Sequence, residues 1–261
     1  MVGAGGFVGR RLAARLAAQG AEVFAPSRGD PDLLTRDLGL VFYCAGLTAD
    51  YDARPFDAVE AHVNLLSAIA RAGRFERLVY LSSTRLYDSS GGGGEDAPLA
   101  LAPANPRHTY DLSKALGENI TLTRTGGRGA VARLANVYDW SQGSPGFLSQ
   151  WLIQAAGARA LTLASSPHIV RDYIHLDDVT QALAAIGAAP EPGIVNVASG
   201  ELVANAAIAK VMTEQGWRIG FTGDAAPPPG PRADVARLTA LGVRPAPVED
   251  VVRGYLQGLG A

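Results

Sequence analysis

Tyr110 and Lys114 stand four residues apart in Tyr110-Asp111-Leu112-Ser113-Lys114, so on a helix they share one face. A phenol alone ionises near pH 10, and an ammonium beside it favours the phenolate. Such a pair can give and take a proton near neutrality. By spacing alone, an ordinary Tyr and Lys on a helix surface is the commoner reading. Ser82-Ser83-Thr84 closes an apolar run. Hydroxyls at the carboxyl end of a parallel strand face the ligand crevice, where one can hydrogen-bond a carbonyl; a plain strand-end turn is the alternative. Gly3-Ala4-Gly5-Gly6-Phe7-Val8-Gly9 fits G-x-x-G-x-x-G and opens a helix pattern. Glycines so spaced permit a tight turn and a close approach to a pyrophosphate, with helix N–H groups facing it. A glycine-rich turn without a ligand has the same spelling.

The elements that must position these residues alternate between short apolar runs and helical patterns, which predicts βαβ units around a parallel sheet. Val8, Leu12 and Leu16 recur at intervals of four, so Phe7–Gln19 is a predicted helix ended by Gly20. Predicted strands follow at Ala21–Ala25, Leu40–Ala45, Arg77–Ser83 and Gly129–Ala135, with helices at Phe56–Ala72 and Arg107–Arg124. Residues 88–107 are rich in Gly, Pro, Ala and Asp and read as a mobile surface loop. Beyond residue 140 the pattern loosens. Helices are expected at Phe147–Ala156, Leu176–Ala188, Val203–Glu214 and Glu249–Leu259, and strands at Ala160–Leu163, Val170–Ile174 and Gly193–Ala198. Residues 223–232 hold Pro227-Pro228-Pro229 and read as a loop. The expected architecture is α/β: a Rossmann doubly wound parallel sheet with a small C-terminal substrate lobe. Residues 1–140 would be mainly dinucleotide-binding domain, and 141–261 mainly substrate lobe with returning Rossmann elements. The strand ahead of the glycine loop is only Met1-Val2, although it belongs in the middle of such a sheet. About four to six apolar residues are therefore expected before Gly3.

The chain has 261 residues, 48% of them hydrophobic, a net charge of -2 and a pI near 6.1. No basic excess points to nucleic acid or an anionic membrane surface. A lone cysteine, Cys44, allows no disulfide framework and suits a reducing cytoplasm. No signal peptide or apolar run of spanning length is visible, so no membrane partner is expected. No metal site is expected either.

Taken in order along the chain, these features resemble the extended short-chain dehydrogenases, the NAD(P)-dependent epimerase/dehydratase group to which the UDP-galactose 4-epimerases belong. The landmarks are the glycine loop, Phe42-Tyr43-Cys44-Ala45-Gly46, His62-Val63-Asn64, the run from Val79 to Tyr87, Tyr110 with Lys114, Arg133-Leu134-Ala135-Asn136-Val137-Tyr138, and the run from Val170 to Asp178. The resemblance implies a nucleotide-sugar substrate, NAD(P) as cofactor and a homodimer built through the helices near 56–72 and 107–124. It implies that Tyr110 is the catalytic acid/base, that Lys114 holds the nicotinamide ribose and tunes Tyr110, and that Ser83, four before Tyr87, is the catalytic hydroxyl. Gly3, Gly6, Phe7, Val8, Gly9, Ala45 and Gly46 would line the cofactor, with Asn64 either near it or structural. Arg171 and Arg232 match arginines that contact the diphosphate, to which a guanidinium fork is suited. An ion pair with Asp172, Asp177 or Asp178 is the alternative for Arg171, and a solvated loop position for Arg232. Thr84 and Asn136 would face the substrate, while His175 and the three tryptophans are expected to be structural.

Two departures shape the expected chemistry. The family's dehydratases carry Asp-Glu after the catalytic hydroxyl, but here Thr84-Arg85 follows Ser83, which argues against dehydration. The segment before Leu40 is short, leaving Asp37 a weak candidate for adenine contact. Phe24-Ala25-Pro26-Ser27-Arg28 has no acid where NAD enzymes hold the ribose 2′-OH, so Ser27 and Arg28, with Arg10 nearby, favour NADP unless Asp30 reaches back. The expected activity is that of a nucleotide-sugar 4-epimerase or 4-ketoreductase. Reduction of a non-sugar ketone is a second reading, which would not need the two arginines. A cofactor-sensing protein without turnover is a third, which the retained Tyr/Lys pair disfavours.

Overall fold

In the computed structural model, which describes residues 1–47, 51–190 and 193–260, four apolar runs line up as a parallel sheet. Its strands are β1 (Leu40–Tyr43), β2 (Arg77–Ser83), β3 (Gly129–Leu134) and β8 (Ile194–Val197), hydrogen-bonded in that order. Side chains alternate across a strand, and here both faces are buried. Leu78 and Tyr80 point to one side with Val41, Leu66 and Ile69; Val79 and Leu81 point to the other with Leu12, Phe42 and Ile186. A strand covered twice needs an unbroken apolar run, which is what 78–81 supplies. Each such side chain contributes roughly 1.5–3 kcal/mol.

The second of these faces, that of Val79 and Leu81, is covered by α1 (Phe7–Ala18) and α7 (Leu176–Ala188), which pack on each other. The first, that of Leu78 and Tyr80, is covered by α5 (His108–Thr123) and by a continuous helix over 55–72. The latter is α3 (Pro55–Val59), a π-helical stretch (Glu60–Asn64) and α4 (Leu65–Ala72). A short α2 (Asp32–Thr35) lies before β1.

Residues 21–25 do not form the expected strand. A strand exists only through its ladder, and the neighbouring segment is Met1-Val2. Val2 is spent on β1, donating to the Phe42 carbonyl (3.0 Å) and accepting from the Cys44 N–H (2.9 Å). On the other side a single bond, from the Met1 amino group to the Phe24 carbonyl (2.7 Å), reaches residues 21–25.

The loop over 88–107 also differs from expectation. Gly93 bridges Ala233, and Glu95 is buried, accepting from the Asn196 N–H at 3.1 Å. Asn196 in turn donates to the Gly93 carbonyl (2.8 Å) and accepts from the Tyr87 hydroxyl (2.8 Å). Buried polar groups need partners, so the middle of this glycine-rich segment is pinned to the end of the sheet rather than free.

The smaller lobe gathers around Trp151, Leu152, Ile208, Met212, Trp217 and Val252. It is built from α6 (Phe147–Gly157), α8 (Asn205–Glu214), α10 (Val248–Gly260) and three two-stranded ladders. These pair β4 (Asn136–Tyr138) with β7 (Tyr173–His175), β5 (Ala160–Leu163) with β10 (Arg218–Phe221), and β6 (Val170–Arg171) with β9 (Val203–Ala204). The expected strand 170–174 is thus split at Asp172, whose carboxylate accepts from the Ser199 and Gly200 N–H groups at 2.9 and 2.8 Å. A last turn, α9 (Ala236–Ala240), packs on β8. Trp140 stacks between His175 and Tyr255 with centroids 4.7 and 4.6 Å away. No helix of the described residues is long and apolar enough to cross a membrane.

Candidate active site

The glycine loop, Ser83 and Leu134 all lie where the sheet's strands end, so they share one crevice at its carboxyl edge. Gly3 turns at φ +79°, and a Cβ there would stand 2.6 Å from the Ala45 nitrogen. A Cβ at Gly9 would stand 2.3 Å from the Gly3 carbonyl oxygen. Both positions therefore demand glycine, and the loop is pressed flat between Ala45 and the first turn of α1. Gly6 is the N-cap, with no side chain closing the helix start and no acid in its first turn. The N–H groups of Phe7, Val8 and Gly9 thus face an open position suited to phosphate.

Lys114 lies one turn after Tyr110 on the inner face of α5, and both are buried, at 4% and 5% exposure. The Lys114 ammonium donates to the Leu81 carbonyl (2.9 Å) and lies 3.3 Å from where a Gly46 Cβ would sit. Burial pulls its pKa down to about 7, against the pull of Glu118 and Cys44. Tyr110 behaves differently from the sequence expectation. Burial pushes the phenol up to about 12, while the Ser83 hydroxyl and the Arg85 charge hold it down. Desolvation of the phenolate outweighs the neighbouring cations, so in the free protein Tyr110 is a protonated donor at neutral pH.

Ser83 ends β2 and caps the 3-10 turn Thr84–Tyr87, its Oγ accepting from the Arg85 N–H at 3.2 Å. His62, on the π-helical stretch, accepts the Leu47 N–H at Nε2 (3.1 Å) and meets the Ser113 hydroxyl at Nδ1 (2.8 Å). Since Nε2 accepts, Nδ1 carries the proton. Ser113 then donates to the Tyr110 carbonyl at 2.8 Å. Burial and Lys114 push His62 down to about 3, so the chain Leu47–His62–Ser113–Tyr110 is a neutral brace.

A cleft of about 690 Å³ is lined by Ser83, Thr84, Arg85, Asp111, Asn136 and Arg171 and walled by residues 227–231; Tyr110 is buried next to two of these, Ser83 and Arg85. Thr84 donates to the Leu134 carbonyl at 3.3 Å, and the Asn136 amide to the Asp172 carbonyl at 2.9 Å. Arg171 does not pair with Asp172, Asp177 or Asp178. Its guanidinium lies 5.1 Å from the Phe147 ring, and Nη1 is buried without a partner among the described residues.

The other sequence candidates are placed as follows. Arg232 donates from Nε to the Gly200 carbonyl beside the cleft. Asn64 is exposed on the outer helix surface and donates to Glu60 at 2.6 Å. Ser27 and Arg28 are exposed in a turn at Gly29, beyond the segment that follows α1. Sequence reasoning passed over His62 as more than a landmark, and over Tyr51 and Asp111. The last had a visible signal, since it directly follows Tyr110. No carboxylate follows Ser83 in the chain, but Asp111 lines the cleft from α5, paired with Arg85 at 3.2 Å.

The sequence profile of the NAD dependent epimerase/dehydratase family matches residues 1–198. The chain is 31% identical over 234 residues to dTDP-6-deoxy-L-talose 4-dehydrogenase (NAD(P)(+)) of Kitasatospora kifunensis, covering 77% of this chain and 73% of that protein. It is 29% identical over 216 residues to dTDP-4-dehydrorhamnose reductase of Mycobacterium tuberculosis, covering 77% and 69%. The solved structure of MoeE5 in complex with UDP-glucose and NAD shares the fold at a TM-score of 0.81 and 20% identity, over 98% of this chain and 96% of that one.

Proposed function

The chain belongs to the NAD dependent epimerase/dehydratase family, and from that premise we propose that it interconverts a ketone and a secondary alcohol at the 4-position of a nucleotide-linked sugar. Reduction of the ketone is the favoured direction, with 4-epimerisation as the related alternative. One observation carries this: Ser83, beside the buried and protonated Tyr110, lines a cleft together with Arg171, whose buried Nη1 has no partner among the described residues. Ketone reduction needs a proton donor at the oxygen, which Tyr110 is at neutral pH. Ser83 orients and polarises that oxygen. Arg171 supplies a guanidinium for the diphosphate. A dinucleotide bound on the glycine loop would supply the hydride. Gly3, Gly6 and Gly9 would admit its pyrophosphate, and Lys114, beside Gly46, would reach its ribose. No carboxylate directly follows Ser83, which argues against dehydration.

The test is turnover of dTDP- and UDP-linked 4-keto sugars with a reduced dinucleotide, followed by mass spectrometry. A gain of two hydrogens is expected. An isomer of unchanged mass from a hydroxy-sugar would favour epimerisation, and loss of water would overturn the reading.

For the cofactor we favour NADP. Asp30 is engaged in its own turn, accepting from the Asp32 N–H at 3.0 Å, which leaves Ser27 and Arg28 to meet a 2′-phosphate. One charge-assisted bond is worth about 1.5–3 kcal/mol, so Arg28→Ala should weaken NADPH roughly 10- to 100-fold and spare NADH. Equal losses for both, measured by titration, would refute the assignment. Phe56 and Leu116 are exposed, at 87% and 48%, on the two helices that a homodimer would pack together, which supports that assembly. The single cysteine fits a cytoplasmic setting.

A further inference from the structure

Lys114 is not the cation nearest the Tyr110 ring. The Arg85 guanidinium carbon lies 5.1 Å from that ring's centroid, and the Lys114 ammonium 6.0 Å. Arg85 is held on several sides. It lies 4.6 Å over the Tyr51 ring and donates to the Tyr51 hydroxyl. Its Nε meets the Asp111 carboxylate at 3.2 Å, and its Nη2 donates to the Arg107 carbonyl at 3.3 Å. The Tyr51 and Tyr110 rings are 5.0 Å apart. The guanidinium is thus clamped against the phenol by groups from three parts of the chain.

We propose that Arg85 is a positioning residue of the reaction, clamped by Tyr51 and Asp111 so that its fixed charge sets how readily Tyr110 gives up its proton. This rests on the reading of Tyr110 as the acid/base.

The groups around Tyr110 show why this charge matters. From the end of β2 comes the neutral Ser83, and from the π-helical stretch His62, edge-on at 5.3 Å and held neutral. From the segment before α3 comes Tyr51. From α5 come Asp111 and Lys114, with Asp88, Arg107 and His108 around Asp111. Lys114, with a pKa of about 7, loses its charge through the neutral range. Arg85 does not: Tyr51 and Asp111 hold its pKa above the ordinary value. The constant stabiliser of the phenolate is therefore Arg85, and Asp111 is its counterweight. Removing the arginine's charge must raise the Tyr110 pKa. Removing the aspartate's charge, while keeping the side chain's shape, must lower it.

Phenolate formation can be followed on the full chain by ultraviolet difference absorbance against pH, without substrate, with Tyr110→Phe as the subtraction control. Asp111→Asn should lower the Tyr110 midpoint by roughly one pH unit. Arg85→Met should raise it past the accessible range, and Arg85→Lys should restore part of the change. With a working substrate, the fall of kcat/KM for reduction at high pH should move the same way in each variant, which a merely structural ion pair would not cause. A midpoint that stays put in Asp111→Asn, or rises, overturns the proposal. If Arg85→Met does not fold, Asp111→Asn alone decides. A chain that turns over no nucleotide sugar would defeat the proposed function but not this inference, because the titration needs no substrate.

Discussion

Replacing Tyr110 with Phe should lower turnover roughly 10²–10⁴-fold while leaving dinucleotide affinity and thermal stability close to those of the unchanged protein. The ring packs edge-on against His62 and beside Tyr51, and phenylalanine keeps both contacts. What disappears is the phenolic proton beside Ser83. Ser83→Ala should cost less, since it removes a polarising hydroxyl and leaves the acid. Lys114→Ala should harm both turnover and cofactor binding, because its ammonium lies against the Gly46 backbone as well as behind Tyr110. Single-turnover kinetics and dinucleotide titration separate these outcomes. A Tyr110→Phe protein that turns over normally would remove Tyr110 from the chemistry. One that loses cofactor affinity in proportion to rate would make the residue structural.

Helical spacing puts Tyr110 and Lys114 on one face, as the structure has them, but spacing alone favours an ordinary helix surface, and only the family resemblance singles the pair out. Their ionisation was not legible. Spacing suggests an ammonium that favours phenolate, whereas burial raises Tyr110 and lowers Lys114, and burial is a property of the packed site. The glycine loop was readable because its demand is local: Gly3 and Gly9 are fixed by contacts within the loop and with the adjacent Ala45. The segment 21–25 was misread because apolar letters cannot show whether a ladder partner is present. Residues 88–107 were misread because composition cannot show that Glu95 finds the Asn196 N–H about a hundred positions away. Asp111 comes to the cleft from α5, so the order of residues after Ser83 gives no sign of it. The cleft collects its charges from the turn after β2, from the start of α5 and from β6 together.

Disruption of the Arg133–Glu118 pair should be the most destabilising change in the framework behind the site. Arg133 on β3 and Glu118 on α5 are 2% and 4% exposed, and they meet through two parallel bonds of 2.8 and 2.6 Å. Arg133 also donates to the Tyr87 hydroxyl at 2.7 Å, which joins the pair to Asn196 and the pinned loop. Glu118 is one turn beyond Lys114, so the same bond anchors the helix that carries Tyr110 and Lys114. Removing one member strands a buried charge, a loss of about 3–5 kcal/mol. For a chain of this size that corresponds to a fall in Tm on the order of 10 °C. Glu118→Gln tests this with little change of shape. It should also lower the Lys114 pKa further, since Glu118 is the main group opposing desolvation there. The double variant Arg133→Met with Glu118→Leu removes both charges and should recover much of the lost stability, because an apolar pair of similar volume has no desolvation cost. Calorimetry on the single and double variants decides. A Glu118→Gln protein melting within a degree or so of the parent would mean that the carboxylate does not anchor α5. A double variant no better than the single would mean that the Tyr87 and Asn196 bonds, rather than the ion pair, hold this part of the sheet together.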